Sequence, residues 1–345
     1  MLTQATHLYF RRNEARPALA LAERAWALGG TEDDLELGGT LAWAQVCAGR
    51  PEDGRSLALR CAELAEAAGD TANAPQIARC LMWVEDYGMA RALVERVVGT
   101  HRAAAAPGDL AYALFFLAEL ELRLARLPAA FAAAQESVQL PEQTGRDLQV
   151  MASLTVLASA EALLGRAAEA RTHATHALAR AGAMMNVTFV ARANAALGLL
   201  ELSLRGPARP QRTSSSSRVR TLAATWSSRA SWSGCPTSSR RSSARSASMT
   251  PQRRSRCSAA MPTRRAASWA QAATERYRGV LAADGGDEHF EAALRLHDAT
   301  PRSFERARTE LCFGEAPRRS GRRAAARTHL CAALEAFERS GALPW

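Results

Sequence analysis

The strongest constraint on the fold is self-similarity, because a fixed period of roughly 20 to 50 residues means stacked helical or strand units in place of a single globular core. The clearest unit runs Leu154-Thr155-Val156-Leu157-Ala158, then Gly165-Arg166-Ala167-Ala168-Glu169-Ala170, then Ala174 and Ala177. It reads as two antiparallel helices. A large and a small apolar residue stand where the helices touch, Gly165 makes the turn, and Ala170 and Ala177 let the second backbone come close. The unit stands again about 40 residues upstream, in Leu114, Leu117, Ala118, Ala125, Ala130 and Ser137. Ile77, Ala78, Tyr87, Ala90 and Val97 fill equivalent slots, as do Leu41, Ala42, Gly49, Gly54 and Cys61. Near the end Phe313, Gly314, Gly321, Ala326 and Ala333 repeat the arrangement.

The pattern resembles the tetratricopeptide repeat, with a period longer than the roughly 34 residues of the standard unit, so longer helices or loops are expected. Composition agrees: hydrophobic residues make up 48% but aromatics only 6%, and the apolar set is mostly Ala and Leu, which favour helix over strand. The expected fold is all-α, an α-α superhelix of tetratricopeptide-like helix pairs in two blocks, residues 1–204 and 266–345. No pair can bury its apolar face alone, so neighbours stack around a continuous core, and the concave face is the expected place for a protein or small-molecule effector.

Residues 205–265 break the pattern. Between Glu201 and Glu275 there are 14 Arg and no acidic residue, against a whole-chain net charge of +10. The basic balance therefore belongs to this segment and not to the repeats. With Arg and Ser alternating and almost no apolar period, it is expected to be a poorly ordered insert where trypsin cuts first, between Arg212 and Arg265. It can be a disordered nucleic-acid-binding tail, a linker, or out-of-frame translation of a GC-rich gene. All 44 basic residues are Arg, which such a genome favours, and Ala292 stands three periods of about 40 after Ala170, as if the array resumed in step. Read one base back, Cys235–Ala244 can encode Pro-Asp-Leu-Val-Glu-Ala-Leu-Val-Arg, the start of an amphipathic helix. The codon straddling Met249 and Thr250 must then be Asp. The out-of-frame reading is the one these residues favour.

Chemistry is sparsely signalled, and neither catalytic residues nor a cofactor, metal or DNA-binding site is assigned. Cys47, Cys61, Cys80, Cys235, Cys257, Cys312 and Cys331 show no CxxC spacing and read mostly as small apolar helix residues. A chain without Lys cannot supply the phosphate-binding lysine of a P-loop. His173 and His176, one turn apart, read as solvated or interhelical for want of a complementary ligand. Asp284, Asp287 and Glu288 with Gly285 and Gly286 lack the alternation of a calcium loop and read as a turn before a helix. Trp226 and Trp232 among Arg218, Arg220, Arg229 and Arg240 match a single-strand binder in composition alone. No catalytic triad or carboxylate pair recommends an enzyme. No stretch approaches the roughly 20 uninterrupted apolar residues of a membrane helix, so no membrane partner and a cytoplasmic location are expected.

The C-terminal stretch Phe304-Glu305-Arg306-Ala307-Arg308-Thr309-Glu310-Leu311, with Gly314-Glu315-Ala316, Gly321-Arg322-Arg323, Ala332-Ala333-Leu334-Glu335-Ala336-Phe337-Glu338 and Gly341-Ala342-Leu343-Pro344-Trp345, resembles the end of the repeat region in large actinobacterial LuxR-family regulators. Those are similar to the maltose regulator: an N-terminal ATPase, a helical repeat sensor and a C-terminal helix-turn-helix. The resemblance is loose over residues 1–204 and close over 266–345. It implies a non-catalytic sensing and oligomerisation segment that carries neither the ATPase nor the helix-turn-helix, and hence no sequence-specific binding of nucleic acid. Apart from the resemblance, a free-standing repeat adaptor is the alternative reading, and a non-specific Arg/Ser nucleic-acid binder the next. Pro317 departs from the pattern, since proline inside a helix costs about 3 kcal/mol.

Overall fold

In the computed structural model the described residues are 2–31, 33–142, 147–205, 268–282, 286–298, 303–319, 323–342 and 344–345, which form fifteen helices and no strand. The fold is an all-α helical repeat. Five helix pairs come first: α1 (Leu2–Arg11) with α2 (Ala15–Gly29), α3 (Leu35–Cys47) with α4 (Pro51–Ala67), α5 (Ala74–Trp83) with α6 (Tyr87–Ala103), α7 (Pro107–Arg123) with α8 (Leu127–Glu142), and α9 (Asp147–Leu164) with α10 (Ala167–Ala183). A single helix α11 (Val187–Arg205) follows. The C-terminal block holds α12 (Ser268–Leu281), α13 (Asp287–Asp298), α14 (Ser303–Arg319) and α15 (Arg323–Ser340).

The repeat is written most plainly in its turns. Asn13, Gly49, Glu85, Ala125 and Gly165 all have positive φ, at 64°, 83°, 67°, 59° and 82°, and follow one another at intervals of 36, 36, 40 and 40 residues. Only two of the five are glycine. A left-handed residue closes a helix C-terminus by returning backbone N–H groups to the last carbonyls, as Arg50 N–H does to Gln45 O at 2.8 Å and Arg166 N–H to Glu161 O at 2.9 Å. Five residues past each turn comes the close approach: Ala18, Gly54, Ala90, Ala130 and Ala170, all buried. A β carbon on Gly54 would fall 2.7 Å from the Ala42 carbonyl oxygen. Starts are marked as well. Pro51, Pro75 and Pro107 occupy first-turn positions, where proline loses no helical hydrogen bond, and the Asp34 carboxylate accepts from Leu37 N–H at 2.9 Å.

The first helices of successive pairs, α1, α3, α5, α7 and α9, each touch the next along the array, and α9 touches α11, whereas among the second helices only α4 and α6 come comparably near. The first helices therefore form the inner, concave wall. Curvature is tight enough for α11 to meet α1, and the Thr188 hydroxyl donates to the Phe10 carbonyl at 3.2 Å. One core runs from Ala15 through Ile77 and Phe116 to Ala193.

The C-terminal block lies against the edge of the array formed by the third, fourth and fifth pair turns. Ser268 and Trp269 open α12 by donating to the Glu85 carboxylate, the Trp269 N–H at 3.3 Å. Phe304, Phe337 and Trp345 share a core with Leu127, Leu163, Leu199 and Leu200, and Pro344 covers Gly165. Within the block, Gly314 admits Leu330, whose Cγ would be 2.6 Å from an added β carbon, and Ala326 and Ala333 are buried, as the repeat requires. One slot needs correction: the buried small residue of α13 is Ala293, while Ala292 is only half-buried, because the helix presents the next position to the core. The helix α14 runs through Pro317 and stops two residues later. Among the described residues α11 alone is long and apolar enough to cross a membrane, over Val187–Leu204. It carries Arg192 and Glu201, which pair with Glu119 of α7 and Arg171 of α10.

Candidate functional site

The concave wall carries an aromatic and cationic cluster. Counting six residues back from each left-handed turn residue gives His7, Trp43, Arg79, Glu119 and Ser159, one from each first helix. The Arg79 guanidinium carbon lies 4.0 Å over the Trp43 ring. Trp43 meets Trp83 edge to face at 5.7 Å and Phe10 at 6.1 Å. Arg123 then covers Trp83 at 4.9 Å. Such cation–π stacks contribute about 0.5 to 2 kcal/mol each, more as they are desolvated.

Charge is distributed unevenly along this wall. Glu119, 4% exposed, serves two arginines: Arg123 Nη2 donates to it at 2.9 Å and Arg192 Nη1 reaches both of its oxygens at 3.1 Å. Burial works against the Arg123 cation, but Glu119 and Tyr87 outweigh it and hold its pKa above the ordinary value. Arg79 meets no carboxylate among the described residues. Its charge is felt by His7, whose pKa is lowered by burial and then by Arg79 and Arg11, and by Tyr112, whose phenol is raised by burial against the pull of Arg79. Tyr112 is 36% exposed and meets Phe116 edge to face at 5.0 Å.

Three polar atoms at the α3–α5 seam have no hydrogen-bond partner among the described residues: Trp43 Nε1, Gln76 Nε2 and Arg79 Nε. All three are donors. An unpaired buried donor costs about 1 to 3 kcal/mol. Gln76 and Arg79 stand three apart on α5, hence on one face, and Gln76 lies beside Gly39, one helical turn before Trp43. Gln45 Oε1 is also unpartnered, but two residues past Trp43 it faces another side of α3.

The residues weighed in the sequence are placed as follows. His173 is interhelical, its Nδ1 at 2.8 Å from the buried Glu161 carboxylate, while His176 is exposed. Glu161 is thus a spatial neighbour that spacing did not reveal, yet among the described residues no group of three or more His, Cys, Asp or Glu could hold a metal. Cys47, Cys61 and Cys80 are free, buried thiols; burial pushes Cys61 up to about 11, Cys80 up to about 12 and Cys47 further still. They stay protonated at neutral pH and are poor nucleophiles. Asp287 and Glu288 open α13, where acids suit the helix N-terminus. Asp284, Gly285, Cys235, Cys257, Trp226, Trp232 and the Arg-rich segment lie outside the described residues. Sequence reasoning passed over Trp43, Gln76, Arg79 and Tyr112. The available signal was the row itself, since aligning the chain on its turns stacks His7, Trp43, Arg79 and Glu119 in one column where apolar residues would suffice for packing.

No family model matches this chain, and no curated protein matches it.

Proposed function

We propose that the chain is a non-catalytic, cytoplasmic sensing and oligomerisation segment of a LuxR-family transcriptional regulator, built of tetratricopeptide-like pairs and taking an effector on its concave face. The observation that carries the reading is the inner row. Arrays that only pack can fill every inward slot with apolar residues; here His7, Trp43, Arg79 and Glu119 occupy one slot in four successive pairs. The second support is the C-terminal block, which grips three pair turns through Glu85, Leu127 and Gly165. A change of curvature on effector binding would therefore be felt by that block, which the family resemblance sets next to the DNA-reading end.

Flanking DNA provides the test. A P-loop ATPase frame upstream and a helix-turn-helix frame downstream are expected, and neutral flanks on both sides would leave a free-standing adaptor. Sequencing around residues 205 and 265 tests the out-of-frame origin of 205–265, which an uninterrupted frame shared with close relatives would sink. The chain itself should bind a palindromic promoter fragment and a scrambled duplex alike. A preference above about 100-fold would reveal a reading head.

A further inference from the structure

We infer that α11 is the first helix of a sixth pair, and that its face along Asn194, Gly198 and Leu202 is the seat of a second helix which the gene encodes one base back from the frame of residues 206–267. Resting on the out-of-frame origin proposed above, this says what that frame supplies: an amphipathic helix of the 16 or 17 residues found in α4, α6, α8 and α10, with a small residue where the two backbones meet.

Register places α11. One more interval of 40 residues past Gly165 puts the sixth turn at Arg205. Seven residues before the five earlier turns stand Thr6, Ala42, Ala78, Ala118 and Ala158, all buried, and Gly198 continues that column, buried too. In the second pair this column lies at the crossing. A β carbon added to Gly38 of α3 would fall 2.7 Å from Cys61 Sγ of α4, and one added to Gly54 of α4 would fall 2.7 Å from the Ala42 carbonyl oxygen and 2.6 Å from Val46 Cγ2. Gly38, Ala42 and Val46 thus form one stripe of α3, four residues apart. The matching stripe of α11 is Asn194, Gly198 and Leu202. Asn194 Nδ2 donates to the Val190 carbonyl of its own helix at 2.9 Å and so asks nothing of a partner. Three residues before each earlier turn, Phe10, Val46, Met82, Leu122 and Ala162 are buried or half-buried, whereas Leu202 in the same slot is 37% exposed and Leu204 beside it 56%.

Chain length and coding identify the occupant. Two further intervals of 40 from Arg205 reach 285, between the end of α12 at Leu281 and the start of α13 at Asp287. The residues between α11 and α12 therefore count out as one second helix and one further pair. In their own frame they offer Arg and Ser with almost no apolar period to set against Leu202. One base back, the genetic code leaves little choice at several places. Five residues past the turns counted at 205 and 245, in the slot of Ala18, Gly54, Ala90, Ala130 and Ala170, the codons straddling Pro210–Gln211 and Thr250–Pro251 end in CA and CC. Each encodes Ala, Ser, Thr or Pro, small in every case. The codons straddling Thr225–Trp226, Ser231–Trp232 and Gly234–Cys235 end in TG and encode Leu, Met or Val. Small residues at the crossing slots with large apolar ones between them are the pattern of the array.

The test sets the full chain against a synthetic peptide carrying the residues that the sequenced gene encodes one base back from 206 to 226. The peptide should bind saturably and one to one in fluorescence anisotropy. Leu202→Glu, which sets a charge in the apolar seat, should weaken it at least about 10-fold, and Leu28→Glu, at an exposed leucine of α2, should leave it unchanged. Circular dichroism of each variant separates lost binding from lost fold. Because a lone helix of this length is marginal in water, the decision lies with the joined form: restoring the frame between 206 and 265 should protect Leu202→Cys from a thiol reagent that modifies it readily in the chain as it stands, read by mass spectrometry at that site. Equal modification in the two chains would overturn the seat, as would peptide binding that a folded Leu202→Glu leaves intact. Self-association of the chain that Leu202→Glu abolishes would give the face to a second copy and overturn the occupant. Sequencing judges the out-of-frame origin apart: a broken frame with Leu202 still open after restoration removes the seat alone, while an uninterrupted frame shared with close relatives removes the origin itself.

Discussion

In the C-terminal block the side chain of Arg276 is 3% exposed and meets the Glu305 carboxylate at 2.8 Å, whereas on the concave wall of the array Arg79 lies over Trp43 with no carboxylate beside it among the described residues. Glu305 also takes Arg308 at 3.0 Å, and Arg276 reaches the Glu305 carbonyl at 3.1 Å and the Thr309 hydroxyl at 3.4 Å. Burial alone would raise the Glu305 carboxyl. Arg308 and Arg276 overcome that and hold it well below the usual carboxylate range. A buried charge that the chain itself neutralises ties helices together, here α12 to α14. Arg79, in contrast, joins α5 to α3 by stacking alone.

Breaking the closed network should have the largest effect. Arg276→Met leaves Glu305 buried with a single partner, and loss of about 3 to 5 kcal/mol is expected in denaturant unfolding. Arg79→Met should change stability by about 1 kcal/mol or less, since it gives up a stacking contact and no ion pair. Equal losses in the two variants would erase the distinction between the regions. The acid limb offers a second reading of the same network. With its folded pKa below the ordinary value of 4.5, Glu305 contributes stability that is complete above that value and lost as pH falls toward the folded one. Glu305→Gln should flatten that limb.

Next in size are the helix crossings. Ala90 and Ala326, in the array and the block, are both buried at the same step of the repeat. Leu at either position forces two backbones apart, and each substitution should lose about 1 to 3 kcal/mol by thermal or chemical unfolding. A loss at Ala90 alone would show that the C-terminal pair α14–α15 does not pack by the rule of the array.

These crossings are what the sequence made legible. Alanine and glycine at fixed phase are a backbone signal, since only small residues allow the approach, and they marked the α3–α10 pairs and α14–α15 correctly. The first pair went unseen because Asn13 stands where glycine was sought, and the third turn, at Glu85, was passed over in the same way, whereas Ala125 was read in its slot. The concave cluster was not legible for another reason. Its members come from different first helices, and the change of spacing from 36 to 40 residues blurs their alignment until the turns are fixed. The grip of the C-terminal block on the turn edge, through Glu85, Gly165 and Trp345, is long-range packing with no local pattern at all.

Turn strain should yield a smaller and opposite effect. Ala105 is exposed at φ 50°, and glycine there removes the left-handed penalty of about 1 to 2 kcal/mol while adding its own entropic cost of about 0.5 to 1. Ala105→Gly should therefore raise stability by up to about 1 kcal/mol. Glu85→Gly has the same backbone benefit but gives up the carboxylate that holds Ser268 and Trp269. It should gain nothing, and limited proteolysis should release the C-terminal block more readily in that variant. A stabilised Glu85→Gly would mean that the clasp contributes little to docking.

The smallest effect, and the most direct reading of the charge on the concave wall, belongs to His7. Its folded pKa is lowered from 6.5 by burial, then by Arg79 and Arg11, so the unfolded chain takes up the proton first. Stability is then fullest above about pH 6.5 and declines as pH falls below it, until His7 is protonated in the folded protein as well. Although its ring packs toward Phe10, 6.2 Å between centroids, the residue as a whole stays open to solvent, which screens much of this, and the decline should be shallow. His7→Gln should remove it. Arg79→Gln should move the His7 midpoint upward by taking away one of the two nearby cations. Titration of the assigned His7 ring by NMR reads both directly. A midpoint at or above 6.5 in the free protein would mean that this wall carries no excess positive charge, and the contrast with the neutralised Arg276 network would fail at its origin.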